Sequence, residues 1–277
     1  MGKMPEFSDT QEGRWFEANR QLWNEKTAHH LNSSFYDLPG FKAGQSSLRH
    51  IERDGVGEVQ GQKLLHLQCH FGQDTLSWAR LGAEATGVDL SDESIRVARE
   101  LAEELALPAR FLACDLYSLP RHLDEAGQYD LVFTSYGTIG WLPDLRRWAA
   151  VINHFLKPGG RFFMVEFHPV IWMHDDDFDK VAYSYFNTGP ITQAPQGTYA
   201  DPEAQMHAPQ EVSWNHSLGE VLGSLTEQGL LIDHFSEYNY STWPCFPRNR
   251  PVGEQRWVIE SLGEQYPHLF AVGAKKR

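Results

Sequence analysis

The side chains with the clearest chemical meaning lie in the segment LLHLQCHFGQDTLSWARLGAEATGVDL, residues 64–90. An apolar strand over 63–68 leads into a polar loop, a helix follows over 73–81, and a second strand over 84–89 ends at Asp89. An acid at the carboxyl end of the second strand, about 20 residues after the loop, is typical of sites that hold the ribose of an adenosine-containing cofactor. The segment therefore predicts a cofactor site at one edge of a sheet.

The loop between the first strand and its helix, QCHFGQ at residues 68–73, restricts the choice of cofactor because it contains one glycine. Nicotinamide and flavin dinucleotides need GxGxxG here, so that the pyrophosphate can approach backbone amides. The glycines at Gly55, Gly57 and Gly61 come before the strand, which is the wrong place for that purpose. The loop therefore argues against a nucleotide-dependent oxidoreductase, which is kept as an alternative function.

Composition limits the class of protein and its partners. A chain of 277 residues with 41% hydrophobic and 22% charged residues is long enough for one large α/β domain with insertions. Its formal net charge of −13 argues against nucleic acid and anionic membranes as partners. Neither a membrane-spanning run nor the apolar region of a secretory signal is visible. Scattered cysteines without CxxC predict a reducing cytoplasm and no structural zinc. We expect a monomer or homodimer.

Strands and helices alternate through five units, which predicts a doubly wound, mostly parallel sheet. An amphipathic helix over 14–30 precedes this alternation. After the second strand we expect a helix that ends before Pro108, and then strands and helices in the order 110–114, 129–136, 144–156 (helix), 161–167, 218–228 (helix), 230–236 and a last strand near 268–276.

Two segments do not follow this alternation of strands and helices. Residues 1–50 are predicted to form an N-terminal helical cap, and 51–277 the main domain. Within that domain, residues 169–212 are rich in acids, prolines and aromatic residues and show no sustained period. A stretch this long without regular structure is usually a functional insertion such as a lid. We expect the cap and the insertion to form the roof of an aromatic-rich pocket, which suits a small ligand.

Several motifs, taken in order, resemble those of the class I S-adenosylmethionine (SAM)-dependent methyltransferases. The matching segments are LLHLQCHFG, GVDLS, ACDLYSLP, YDLVFTSYG and LKPGGRFFMVE. The resemblance is closest over residues 60–170, and LQCHFGQDT with VEFHP is similar to a bacterial small-molecule subgroup of that family. It implies a Rossmann-like sheet of seven strands, SAM as cofactor and S-adenosylhomocysteine as its product.

The resemblance also implies which residues hold the cofactor. Asp89 corresponds to the acid that binds both ribose hydroxyls, and Asp115 to the one that meets the adenine amine. The stretch WNEKTAHH is similar to a family segment whose last residue covers the methionine end, although its helix could equally pack onto the sheet. The full set of expected cofactor-binding residues is Trp23, His30, His66, Gln68, Cys69, His70, Gly72, Asp89, Leu90, Asp115, Leu116 and Ser135.

The first motif departs from the family pattern of one acid and three alternate glycines. His66 stands in place of the acid, while Gln68 and His70 replace two glycines and leave Gly72. We therefore expect side chains, rather than a close backbone approach, to contact the carboxylate of the cofactor, with His70 as a candidate donor. A buried His66 with all its hydrogen bonds made within the protein is the alternative.

Methyl transfer from a sulfonium is a direct displacement, and it needs a base only if the acceptor holds its proton at neutral pH. The candidates at the ends of the fourth and fifth strands are Tyr136, Glu166 and His168. His168 is favoured because imidazole titrates near neutral pH. A structural role for His168, before Pro169, and packing of Tyr136 against the cofactor remain alternatives. Because the first motif is altered, a non-catalytic SAM-binding module is a further alternative.

The insertion contains a run of acids that resembles a calcium loop only in part. Asp175, Asp177 and Asp179 have the alternating spacing of calcium ligands. However, Lys180 occupies the position that needs glycine, and Phe186 the position that needs glutamate. We therefore predict no metal site, and a solvated acidic segment instead.

Overall fold

Eleven strands and eight helices are found in the computed structural model, which describes residues 9–277. The first eight residues of the predicted cap lie outside the described residues. The strands are β1 (Lys63–Leu67), β2 (Glu84–Asp89), β3 (Ala109–Ala113), β4 (Tyr129–Ser135), β5 (Leu156–Phe167), β6 (Ile191–Gln193), β7 (Glu211–Ser213), β8 (Leu230–Tyr238), β9 (Asn249–Gly253), β10 (Arg256–Ile259) and β11 (Leu269–Lys276). The helices are α1 (Gln11–Leu31), α2 (Leu38–Lys42), α3 (His50–Val56), α4 (Gln73–Arg80), α5 (Asp92–Glu104), α6 (Leu119–His122), α7 (Leu145–Phe155) and α8 (Leu218–Glu227).

Seven of the strands form one sheet in the order β3-β2-β1-β4-β5-β11-β8. The pairs among β1 to β5 are parallel, whereas β11 runs antiparallel to both β5 and β8. Strand order reverses between β1 and β4, and ligands of such sheets bind beyond the carboxyl ends of the strands at this point. The predicted doubly wound, mostly parallel sheet is confirmed.

Both faces of the sheet are covered, which explains why its central strands read as nearly continuous apolar runs. Trp148 and Phe155 of α7 pack with Val221 of α8 in the cluster on one face. Ile51 of α3 and Trp78 of α4 belong to the cluster that contains Leu64 and Phe133 of the sheet on the other. These two layers hold the strand ends in place.

The regular elements lie within a few residues of their predicted bounds, and the differences are at irregular segments. β5 begins at Leu156, before the expected residue 161, because Leu156 already pairs with Tyr129 across an irregularity in the ladder. Residues 157–160, which lie between the predicted helix and the predicted strand, thus belong to β5, with Gly159 at φ +76°. The short helices α2, α3 and α6 and the β9–β10 hairpin are additions to the prediction.

The insertion packs against the N-terminal helix. Within it, β6 and β7 form an antiparallel pair. The Asn19 side chain of α1 donates to the Val212 carbonyl at 2.8 Å and accepts from the Val212 amide at 3.0 Å. The Glu25 carboxylate accepts the backbone amides of His207 and Ala208. These bonds attach a segment without an α-helix to the long helix α1. No helix within residues 9–277 combines the length and apolar character needed to cross a membrane.

Candidate functional site

A cavity of about 430 Å³ lies at the carboxyl ends of the central strands. Its floor comes from the segments that follow β1, β2, β3 and β4, and its roof from α1, the insertion and residues 243–246. Every residue that was expected to bind the cofactor lines this cavity except His30. The structure thus brings together residues from five separate segments at the sheet edge that the sequence indicated.

The loop after β1 keeps a glycine-like backbone although two of its glycines are replaced. Gln68 has φ +56° and His70 φ +51°, and Gly72 follows at φ +82°. This region of backbone space costs a residue with a side chain roughly 1–2 kcal/mol. The loop therefore has left-handed backbone at the alternate positions of the family glycines. This backbone geometry was not expected from the sequence. The expectation that side chains contact the carboxylate of the cofactor stays a prediction.

The Asp89 carboxylate connects the end of β2 to that loop. Its Oδ2 accepts the His70 amide at 2.8 Å, and its Oδ1 accepts the Ser91 amide at 2.8 Å. Burial raises the pKa of Asp89 to about 6. Asp115, at the end of β3, accepts the Ser118 amide at 3.0 Å and so begins a short turn. Both carboxylates stand at the cavity, where they can accept hydrogen bonds from a ligand.

His66 and Gln68 each have one buried polar atom without a protein partner in the wall of the cavity. His66 Nδ1 lies 2.8 Å from Thr75 Oγ1, and its Nε2 has no partner. Burial lowers the pKa of His66 to about 3, so its ring is neutral. Gln68 Nε2 donates to the Thr138 carbonyl at 2.8 Å, and its Oε1 has no partner. Because buried polar atoms are normally paired, these two fit the wall of a site for a polar ligand.

Both nitrogens of the His70 ring are within hydrogen-bond distance of other side chains of the protein. Its Nε2 lies 2.9 Å from His30 Nδ1, and its Nδ1 lies 3.0 Å from Ser94 Oγ. The Trp23 ring packs edge-on to His70 and to Trp141, each at 5.3 Å between centroids. His30 therefore lies behind His70 and not at the cavity surface. The ring of His70 attaches α1 to the loop, and its role as a donor to the cofactor stays a prediction.

Tyr136 follows β4 and lines the cavity with a left-handed backbone, at φ +47°. Its hydroxyl donates to Glu52 Oε2 at 2.8 Å and accepts from Thr242 Oγ1 at 3.1 Å. Glu52 is 1% exposed, and burial raises its pKa to about 7. A phenol at the cavity is thus hydrogen-bonded to a carboxyl group that changes charge near neutral pH.

Glu166 also lines the cavity, but its carboxylate is hydrogen-bonded to backbone amides. It accepts the amides of Gly137, Thr138, Ile139 and Phe167 at distances from 2.5 to 3.3 Å. The Thr138 hydroxyl donates to it as well, at 2.9 Å. This side chain holds the turn after β4 in place.

His168 is not among the residues that line the cavity. Its backbone amide donates to the His268 carbonyl at 2.9 Å, which extends the pairing of β5 with β11. Its Nε2 lies 2.9 Å from Glu237 Oε1 of β8, and its Nδ1 accepts the Val170 amide. The expected position facing the cavity is therefore not observed, because the ring turns toward β8.

Asp74 is a lining residue that the sequence analysis missed. It lies in the first turn of α4, directly after the loop. Its carboxylate accepts the Ser47 hydroxyl at 2.6 Å and the Ser135 hydroxyl at 3.2 Å. Burial raises its pKa. Its position directly after the first motif was the sequence signal that could have identified Asp74 as a site residue.

The roof is aromatic and the lining is acidic. Among residues 9–277, Lys26 is the one lysine or arginine that lines the cavity, and it lies 3.5 Å from Glu211. No group of three or more potential metal ligands occurs in the same range. The aromatic side chains away from the strand ends include Phe35, Trp172, Tyr183, Tyr199, Trp214, Trp243 and Phe246.

A family model for a methyltransferase domain matches residues 64–160, the segment that carries this floor. Over these residues the chain is similar to methyltransferase domains, as the order of its motifs predicted. Curated relatives of this chain include a ubiquinone biosynthesis O-methyltransferase from Bordetella avium, 31% identical over 39% of this chain and 44% of that protein. A protein of the same name from Photorhabdus laumondii is 30% identical over 57% and 62%. The chain spans about half the length of the curated relatives it matches.

Solved structures share the fold of this chain. A SAM-dependent methyltransferase from Mesorhizobium loti aligns with a TM-score of 0.58 and 23% identity, over 82% of this chain and 96% of that one. A geranyl diphosphate C-methyltransferase from Streptomyces coelicolor, solved with Mg²⁺, geranyl diphosphate and S-adenosylhomocysteine, aligns with a TM-score of 0.60 and 16% identity, over 98% and 100%. At these identities the likeness concerns the fold.

Proposed function

We propose that this chain transfers the methyl group of SAM to a small-molecule acceptor. The observation that supports this most is one cavity whose floor carries the family's cofactor residues and whose roof is a separate aromatic surface. A cofactor and a second small ligand can then meet inside a single enclosed space. The relatives named as O-methyltransferases and the structural neighbours solved with S-adenosylhomocysteine support the same reading.

The residues present fit SAM. In this proposal Asp89 holds the ribose hydroxyls and Asp115 the adenine amine. His66 and Gln68 line the cavity at the β1 loop, and each has one buried polar atom without a partner. In this proposal the methionine end of SAM lies beside them. Bound SAM supplies a methyl group on a positively charged sulfur. The acidic lining suits such a cation, because opposite charges attract strongly where water is scarce.

Orientation is the main contribution of the protein to this reaction. A direct displacement needs acceptor, methyl carbon and sulfur in line, and holding reactants in such a geometry can provide roughly 7–11 kcal/mol in favourable systems. The stacked rings of Phe35 and Trp243, 5.1 Å apart, and the hydroxyl contact of Tyr36 with Tyr199 close the roof. These contacts exclude water and position the acceptor.

An acceptor that retains its proton at neutral pH needs a base, and we propose Tyr136 for this role. The phenol oxygen takes the proton of the acceptor while the phenol proton passes to Glu52 Oε2, 2.8 Å away. A direct phenolate is disfavoured, since burial raises the pKa of Tyr136 well above its ordinary value. Glu166 is occupied by backbone amides, and His168 faces β8, so we give neither of them this role.

The charge of the cavity favours a neutral or cationic acceptor. Lys26 is already paired with Glu211, so the lining described here offers no free cation for a diphosphate such as that of the Streptomyces neighbour. We also propose a cytoplasmic enzyme that is a monomer or homodimer and uses no nucleic acid or membrane as substrate. The free thiols of Cys69, Cys114 and Cys245 and the net charge of −13 support this.

The direct experiment is an incubation with SAM that carries a labelled methyl group, across a panel of phenols, amines, thiols and activated carbon acids. We expect label in one class of acceptor, with release of an equal amount of S-adenosylhomocysteine. Binding of SAM without transfer to any class would favour a non-catalytic SAM-binding module. Hydride transfer with a nicotinamide cofactor would favour the oxidoreductase alternative.

A further inference from the structure

We propose that Asp74, together with Gln68 from the lining of the same cavity, holds the ammonium group at the methionine end of SAM in place of the acid that the first motif lacks. This inference rests on the proposed function, because it assigns a part of the same cofactor. Asp74 belongs to α4 and does not occupy the acid position or any of the three glycine positions of the first motif.

The first step is that His66 cannot act as the missing acid. Its ring is 2% exposed and neutral, because burial lowers its pKa to about 3. A neutral ring still has one nitrogen that can donate, but it offers no negative charge to an ammonium group. The charge must therefore come from another side chain at this end of the cavity.

The second step is the electrostatic state of Asp74. Its partners are the hydroxyls of Ser47 and Ser135, which satisfy hydrogen bonds but bring no charge. Burial raises the pKa of Asp74, and the hydrogen bonds from the two serines and the charge of Arg49 only partly offset this rise. A desolvated carboxylate without a contacting cation is costly unless a ligand supplies one.

The third step is the location of Asp74 relative to Gln68. Asp74 bonds to Ser135 at the end of β4, and Gln68 donates its amide nitrogen to the Thr138 carbonyl in the turn that follows. This donation leaves the Gln68 oxygen as an acceptor without a partner. Both side chains thus offer acceptor oxygens along the same 135–138 segment. An ammonium group, with three donors and a charge, is the chemical complement of this pair.

The test is a calorimetric comparison of three ligands that differ only at the amino-acid end. S-Adenosylhomocysteine has both the ammonium and the carboxylate, its desamino analogue lacks only the ammonium, and 5′-methylthioadenosine lacks the whole amino-acid group. We expect Asp74→Asn to weaken S-adenosylhomocysteine by roughly 10-fold or more, the usual scale for a charged hydrogen bond. The same variant should bind the other two ligands within about threefold of the wild type.

Asp89→Asn is the matched control, since loss of a ribose contact should weaken all three ligands. An unchanged affinity of Asp74→Asn for S-adenosylhomocysteine would overturn the inference. An equal loss for all three ligands would also overturn it, because it would show that Asp74 only shapes the cavity. Failure of wild-type protein to bind S-adenosylhomocysteine at all would instead refute the proposed function. Gln68→Leu provides a second variant, with the same selective loss expected.

Discussion

Glu166→Gln is the substitution that best separates a structural from a catalytic role at the end of β5. The change conserves shape but turns one acceptor oxygen into an NH₂ donor. Oε1 serves the amides of Gly137 and Phe167, while Oε2 serves those of Thr138 and Ile139 and the Thr138 hydroxyl. Whichever oxygen is replaced, at least two buried amides lose their acceptor.

Each unsatisfied buried donor costs about 1–3 kcal/mol, so Glu166→Gln should lower the free energy of unfolding by roughly 2–5 kcal/mol. The assay is chemical denaturation followed by circular dichroism, with Glu103→Gln as an exposed glutamate of α5 outside the cavity for comparison. Affinity for S-adenosylhomocysteine should fall only to the extent that the loss of these hydrogen bonds disorders the turn at 136–139. A Glu166→Gln protein as stable as the wild type, but without turnover, would refute this reasoning and make Glu166 catalytic.

Three further outcomes follow from the same contacts. His168→Ala should lower the free energy of unfolding by about 1–3 kcal/mol, the scale of its two hydrogen bonds, and leave turnover within about threefold; a loss of ~100-fold at normal stability would restore His168 as the base. Tyr136→Phe should lower kcat by ~100-fold or more with little change in S-adenosylhomocysteine affinity, whereas unchanged kcat would mean that proximity alone suffices. Because the pKa of Glu52 is raised from 4.5 to about 7, the stability it contributes is full below pH 4.5 and is lost as pH rises through 7. Glu52→Gln should therefore flatten the pH dependence of unfolding between these values, and an unchanged slope would contradict the assigned pKa.

The elements of the sheet were predictable because each is set by local sequence. β2 has the predicted bounds 84–89, since its apolar run ends at a polar residue and a helix cap. The strand ends in turn placed Asp89, Asp115 and Tyr136 at a common edge, which needs only the rule that parallel strands end on the same side.

The parts that were missed depend on contacts between residues far apart in the sequence. The orientation of His168 follows from pairing with β11 and from Glu237, and neither is visible from the residues around it. The roof depends on bonds such as that of Asn19 with Val212. The left-handed backbone at Gln68 was unexpected because glycine usually occupies such a position.

The measurement that tests the central claim most directly is a calorimetric titration of this chain with S-adenosylhomocysteine and, separately, with NAD. The account predicts one bound S-adenosylhomocysteine per chain, no binding of NAD, and an affinity at least about tenfold weaker in folded Asp89→Asn. Binding of NAD without S-adenosylhomocysteine, or an Asp89→Asn protein with unchanged affinity, would contradict it.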